Sequence, residues 1–323
     1  MAFLALALLA GCTGDEPDEA QGLEQVTYLT GVGLQGREAY VYVAQDKGFF
    51  AAAGFDVQVK PGNGTNQNLQ LLQGGQADFA VVDITAALIE YGKGTFTDFT
   101  VVSAIHQQTL ACLMALEGSG VGTAKDLTGK RIAYIPGGVV RVLFEPWAKL
   151  TGTDPAGIRW VNMPAQQMAQ GLAAGSIDAA TQFIVGRPGV EAAAKGRKAV
   201  VLPYSEALPE LYGNGLAVGK PAATGDPARV TRFNTAVLKG LTYAAEHPDE
   251  AAAIFAKYQQ AQPVQVAAAE IKLMAPYVKP VAGPAGTIDR AQVERSLAVI
   301  REAGAAGAVR PDDVISFALV PKG

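Results

Sequence analysis

The side chains of this sequence best suited to chemistry are few: two cysteines, Cys12 and Cys112, and two histidines, His106 and His247. Cys12 ends the segment Leu9-Ala10-Gly11-Cys12, which follows an unbroken apolar run from Ala2 and precedes a polar, acidic stretch over 13–21. In that setting the thiol is a nucleophile that accepts a diacylglyceryl group; the apolar run suits a translocon and the small residues suit a signal peptidase. The run is too short to span a bilayer, which takes about 20 apolar residues. Residues 1–12 are therefore expected to be a lipoprotein-type export signal lipidated at Cys12, with 13–24 a linker. The cationic segment that usually opens such a signal would lie upstream of Met1.

Cys112 sits in the apolar run 110–116 and is expected to be a small buried thiol. With Cys12 lipidated, no second thiol remains for a disulfide. Two cysteines and two histidines this far apart do not make a zinc site, which takes three or four N/S ligands at short spacings. Nor does any stretch assemble a nucleophile, a base and a group to orient it. The expectation is a protein without metal, cofactor or catalysis. A net charge of -4, from 26 basic and 30 acidic residues, gives no field for nucleic acid or an anionic membrane surface.

What remains is recognition, and the elements that would position it are regular. Short β-branched runs alternate with helical stretches: strands over 26–29, 56–59 and 79–82, helices over 40–50, 65–72 and 85–91. A second set follows: strands over 131–135, 158–161 and 179–183, helices over 139–150 and 166–174. Strand, helix and strand repeated predict parallel sheets. The motif Leu72-x-x-Gly75-x-x-Asp78-x-Ala80 recurs one hundred positions on as Leu172-x-x-Gly175-x-x-Asp178-x-Ala180. Each copy is a helix ending at a glycine free to take positive φ, then a turn with an aspartate, then a buried strand. After about residue 204 the pattern predicts only amphipathic helices, over 227–247, 248–258, 264–274 and 289–303, with Pro227 and Pro248 at starts. An α/β chain of two lobes is expected, lobe one over 25–112 and 205–323, lobe two over 113–204. The chain would cross between them near 111–117 and 203–215.

Several segments in sequence, Tyr42-Val43-Ala44-x-x-Lys47-Gly48-Phe49-Phe50, Gly54-Phe55-Asp56-Val57, Leu72-x-x-Gly75-x-x-Asp78-Phe79-Ala80 and Asp126-Leu127-x-Gly129-Lys130-Arg131-Ile132, resemble the NMT1/THI5-like solute-binding family. The resemblance implies a type II periplasmic-binding-protein fold, each lobe a mostly parallel sheet flanked by helices, closing by a hinge on a ligand. The ligands it implies are thiamine-pyrimidine precursors, riboflavin-like heteroaromatics, sulfonates or nitrate. It implies a monomeric, extracytoplasmic lipoprotein with an ABC permease and ATPase as partners. Two departures bear on the thiamine-precursor choice: Thr30-Gly31-Val32 holds no tryptophan and 36–39 no histidine. The family also includes yeast pyrimidine-forming enzymes with an active-site histidine and a cysteine-rich motif, which have no matching cluster here. A ligand sensor acting through a separate membrane protein is a further alternative.

In open parallel sheets the ligand crevice lies beyond the C-terminal strand ends. That places Gln35 and Arg37 after the first strand, Asn63 and Thr65 after the second, and Asp83 and Thr85 after the third. Thr65 and Asp83 are also natural helix caps. Gln107 and Gln108 fall by the first crossing, Gly137, Gly138 and Arg141 at a small-residue turn suited to an anionic or carbonyl oxygen, and Tyr212 by the return crossing. From the repeat, Gln182 and Phe183 take the places of Val82 and Asp83, making Phe183 the candidate stacking wall. Arg187 is expected at the surface. Amides and aromatics with few charges suit a neutral heterocycle better than a small anion.

Overall fold

The computed structural model of the chain describes residues 22–136, 138–305 and 307–322. In chain order the elements are β1 (Glu24–Leu29), α1 (Ala39–Asp46), α2 (Phe49–Ala52), β2 (Phe55–Lys60), α3 (Thr65–Gln73), β3 (Phe79–Asp83), α4 (Ile84–Gly92), β4 (Phe99–Ala104), β5 (Ala111–Leu116) and β6 (Arg131–Tyr134). Then follow α5 (Val139–Val142), α6 (Phe144–Thr151), β7 (Arg159–Asn162), α7 (Ala165–Ala174), β8 (Ala179–Phe183), α8 (Arg187–Ala193), β9 (Ala199–Pro203) and β10 (Asn214–Gly219). Helices complete the chain: α9 (Lys220–Gly225), α10 (Pro227–Glu246), α11 (Pro248–Tyr258), α12 (Val264–Met274), α13 (Arg290–Glu302) and α14 (Pro311–Val314).

The strands form two five-stranded sheets of matching order, β2-β1-β3-β10-β4 and β7-β6-β8-β5-β9. The first three strands of each order run parallel, as the repeated strand–helix units predict. The fourth, β10 or β5, runs antiparallel to both its neighbours. Each of these strands is the one by which the chain enters its lobe from the other. The expectation that the segment after residue 204 adds helices alone is thus corrected: Asn214–Gly219 is a central strand of lobe one. The expected boundary at 112/113 falls inside β5, all of which belongs to the second sheet, so the first crossing is 105–110 and the return is 204–213.

The repeat motif has a structural meaning. Gly75 and Gly175 both take left-handed backbone, φ +67 and +70, where a side chain would be strained. Asp78 exchanges bonds with Thr27 on β1, its Oδ2 accepting the Thr27 N–H at 2.9 Å, and Asp178 does the same with Arg131 on β6 at 2.8 Å. The aspartate therefore staples β3 to β1 in one sheet and β8 to β6 in the other. The helix expected over 139–150 is broken into α5 and α6 at Leu143, and Pro146, lacking an N–H, cannot bond the Val142 carbonyl.

Helices cover both faces of each sheet. In lobe one, Phe233 of α10 stacks on Phe79 at 3.8 Å and meets Phe50 and Phe55 at 5.2 and 5.4 Å. In lobe two, Trp147 of α6 stacks on the buried Tyr204 at 4.9 Å. Cys112 is buried and free on β5, its thiol pushed well up by burial. Helix α12 spans the lobes: Leu273, with Tyr277 just beyond its end, packs on the core of lobe one and on the Met168–Leu172–Val190 core of lobe two.

Candidate functional site

Thr30, fully buried at the end of β1, organises the loops that follow it. Its hydroxyl donates to the Gly33 carbonyl at 2.6 Å and accepts the Gly62 N–H at 3.0 Å. Asn68 of α3, also buried, donates to the Thr30 and Val81 carbonyls at 2.8 and 2.7 Å, tying β1 to β3. The approach leaves Gly62 no space for a side chain, since a Cβ there would stand 1.9 Å from the Thr30 oxygen. These bonds set Gly31, Val32, Asn63 and Thr65 at the C-terminal edge of the first sheet.

Facing that edge across the gap are the turn after β6, the start of α7 and the end of β8. Between the two edges is a cavity of about 470 Å³, lined from both lobes and both crossings. Of the residues expected at a site, Arg37, Asn63, Thr65, Asp83, Gly138, Arg141 and Phe183 line it.

Arg37 is largely buried, its guanidinium donating to the Gln35 side chain at 2.8 Å and the Val32 carbonyl at 2.7 Å, with Glu38 at 3.6 Å. Glu38 is buried, and loss of hydration raises its carboxyl while Arg37 opposes the rise. The loop is fixed to α12 by Glu270, which accepts the Arg37 N–H at 3.3 Å, and to the turn before that helix by Gln262, which accepts the Gly36 N–H at 2.7 Å. Asp83 caps α4 by accepting the Ala86 N–H at 2.8 Å, and also borders the cavity. Burial pushes its carboxyl up to about 6 against the pull of the Ala86 and Thr85 N–H groups. Arg141 pairs with Glu145 at 3.1 Å and lies over the Trp160 ring at 4.1 Å.

Other expectations are corrected. Thr65 is not the α3 cap, which is Gly64; its hydroxyl instead accepts the Asp83 N–H at 3.0 Å. Gln35 serves Arg37 and does not line the cavity. Thr85 is buried and donates to the Tyr212 carbonyl at 2.9 Å, and the Tyr212 hydroxyl accepts the Asp289 N–H at 2.8 Å inside lobe one. Gln107 donates to the Thr287 carbonyl at 3.1 Å, and Gln108 is likewise outside the lining. Gln182 is excluded by strand alternation, since Thr181 and Phe183 on β8 face the cavity and its neighbour between them faces away. Arg187 is at the surface, where it was expected, and pairs with Glu191 at 3.0 Å. Gly137 and Cys12 lie outside the described residues.

Five polar lining residues lay outside the expected set: Asn66, His106, Gln166, Thr181 and Asn214. The only advance signal for His106 was its place just beyond a fully buried strand, β4. Asn214 opens β10, the strand that the sequence pattern hid. Among the described residues no group of three or more His, Cys, Asp or Glu side chains is placed to hold a metal ion. No described helix is long and apolar enough to cross a membrane.

Two lobes of identical strand order, crossed twice by the chain and enclosing a cavity at their facing strand ends, define a two-lobe periplasmic-binding-protein fold. The chain belongs to the NMT1/THI5-like family, whose model matches residues 36–251. Solved structures share the fold. The ligand-binding component of an ABC-type import system from Staphylococcus aureus, with zinc bound, superposes with a TM-score of 0.71 at 14% identity, over 93% of this chain and 98% of that one. The alkanesulfonate-binding protein SsuA from Xanthomonas axonopodis pv. citri, bound to MOPS, gives 0.72 at 16% identity, over 92% and 100%. A curated relative, 4-amino-5-hydroxymethyl-2-methylpyrimidine phosphate synthase from Uromyces fabae, is 30% identical over 96 residues, spanning 29% of this chain and 28% of that protein.

Proposed function

We propose that this protein is the solute-binding component of an ABC importer and captures a small, uncharged nitrogen heteroaromatic between its lobes. The observation that carries the reading is the balance of groups around the cavity. Arg37 and Arg141 each have a carboxylate partner, Glu38 and Glu145, and Asp83 adds an acceptor of its own. No surplus positive charge is left for a small anion, while ring nitrogens and amino groups match the donors and the Asp83 carboxylate. Phe183, half-buried on β8, offers a ring face for stacking. The cavity volume of about 470 Å³ fits a ligand of one to three rings.

A sulfonate ligand is the second reading, favoured by the N-termini of α3 and α7, whose first residues Thr65 and Ala165 line the cavity. Thermal-shift titration with pyrimidines, flavins, sulfonates and nitrate separates the two, since a ligand of the folded state raises its stability. Asp83 fixes opposite pH trends. An amino heterocycle that donates to the carboxylate weakens as pH falls through about 6. A sulfonate strengthens over the same range, as its like-charged neighbour becomes neutral. Shifts confined to sulfonate or nitrate would overturn the heteroaromatic reading.

The reading includes no chemical step, and conversion of a bound pyrimidine, followed by mass spectrometry, would sink it. The reading extends to an extracytoplasmic protein held to the membrane through a lipid on Cys12, supported by the apolar run that precedes that residue. Metabolic labelling with a fatty acid, lost in Cys12→Ser, is the test. Its partners are a permease and an ATPase.

A further inference from the structure

His106 stands where the two crossing segments meet. Its backbone N–H donates to the Asn214 carbonyl at 2.9 Å, and its carbonyl accepts the Gly213 N–H at 3.3 Å. Its ring joins the same pairing, Nδ1 accepting the Asn214 N–H at 3.4 Å. An imidazole nitrogen that accepts must carry a lone pair, so the ring proton resides on Nε2. That Nε2 is the one buried side-chain nitrogen or oxygen among the described residues without a hydrogen-bond partner. The residue is 3% exposed and borders the cavity. Burial, and secondarily the charge of Arg37, hold the imidazole down to about 3, so it stays a neutral donor at every ordinary pH.

A buried donor without a partner costs stability, and such groups are rare where nothing uses them. The pairing is close enough to exclude any side chain at 213, where a Cβ would stand 2.9 Å from the His106 Cβ and 3.4 Å from its Nδ1. We propose that the His106 Nε2–H is the hinge-side recognition donor of this cavity, reserved for a hydrogen-bond acceptor on the bound molecule. The assignment rests on the binding reading above and deepens it. The ligand's acceptor end docks at the hinge beside Arg37, and its N–H end docks at Asp83.

Two substitutions separate recognition from a merely structural histidine. His106→Asn puts an oxygen near Nδ1, keeping the partner of the Asn214 N–H, but its donor falls short of the Nε2 position. His106→Gln reaches the Nε2 position with an N–H. Calorimetric titrations use 4-aminopyrimidine, which has ring acceptors and an amino donor, aniline, which keeps only the donor, and methanesulfonate. In His106→Asn, 4-aminopyrimidine is expected to weaken roughly 10- to 100-fold, the loss of one buried hydrogen bond, with aniline unchanged. In His106→Gln most of the affinity returns. Equal binding of 4-aminopyrimidine by His106→Asn and the parent, or equal losses for both ring probes, would overturn the proposal. Should His106→Asn not fold, His106→Gln alone decides: it must bind 4-aminopyrimidine within a few-fold of the parent.

The heteroaromatic reading has its own failure: the parent binds methanesulfonate and neither ring. The His106 assignment then stands only if His106→Asn still weakens methanesulfonate and His106→Gln restores it. A parent protein that binds none of the three probes overturns both.

Discussion

Replacing Asp83 by Asn removes a charge but leaves an oxygen to cap α4, so its effect on stability isolates the cost of an ionised carboxylate held out of water. The carboxyl is raised by burial to about 6. In the unfolded chain it titrates near 4, so the folded form binds its proton more tightly. Stability from this group is therefore highest below about pH 4 and falls as pH rises through about 6. By linkage, the ionised group costs about 3 kcal/mol at pH 7.5 and about 1 kcal/mol at pH 4.5. The stability of Asp83→Asn relative to the parent should thus improve by about 2 kcal/mol between pH 4.5 and 7.5. Glu38 and Glu270 are raised too, burial being the main cause, but are common to both proteins and cancel in the difference. Urea denaturation of both proteins without ligand at the two pH values is the assay. A stability difference that does not change with pH, or that changes in the opposite sense, would refute the reasoning.

Four further outcomes follow from the same geometry. Gly36→Ala should lose about 1–3 kcal/mol in urea denaturation, because a Cβ there would stand 2.4 Å from the Ala267 Cα and the loop carrying Arg37 would have to shift. Asn68→Ala should lose at least about 2 kcal/mol by the same measure, since the buried carbonyls of Thr30 and Val81 lose their shared donor. In thermal-shift titration Phe183→Ala should weaken aromatic probes by roughly tenfold and leave methanesulfonate untouched. EDTA treatment should leave ligand affinity unchanged in calorimetry; a loss restored by zinc would show a metal contribution.

The parts of this fold legible in the sequence are those governed by local periodicity. Gly75 and Gly175 announced αL turns, and the aspartates three residues on turned out to staple neighbouring strands. Strand β10 was hidden because Asn214-Gly215-Leu216-Ala217-Val218-Gly219 has a single β-branched residue. Its stability comes from pairing on both sides with strands more than a hundred positions earlier. The same contrast holds at the site. Residues at or beyond strand ends, such as Arg37, Asn63, Asp83 and Phe183, border the cavity because the C-terminal ends of the parallel strands β1, β2, β3, β6 and β8 lead onto it. Tyr212 and Gln107 were misassigned because their partners, the Asp289 N–H and the Thr287 carbonyl, come from a segment some seventy or more positions away. His106 was overlooked because its importance lies in an unmet bond, which only three dimensions reveal.

The position of β10 between β3 and β4 also dictates the order in which the chain can fold. Those two strands never pair with each other, so the first sheet keeps an open seam until residues 214–219 arrive. Everything from 111 to 203 is synthesised in between and belongs to the other sheet, which can close by itself. The N-terminal lobe is thus the last to be completed, and long-range pairing of this kind is slow. A nascent chain with its first sheet still unzipped remains threadable, which is the condition a protein needs if it must pass through a narrow channel before it folds.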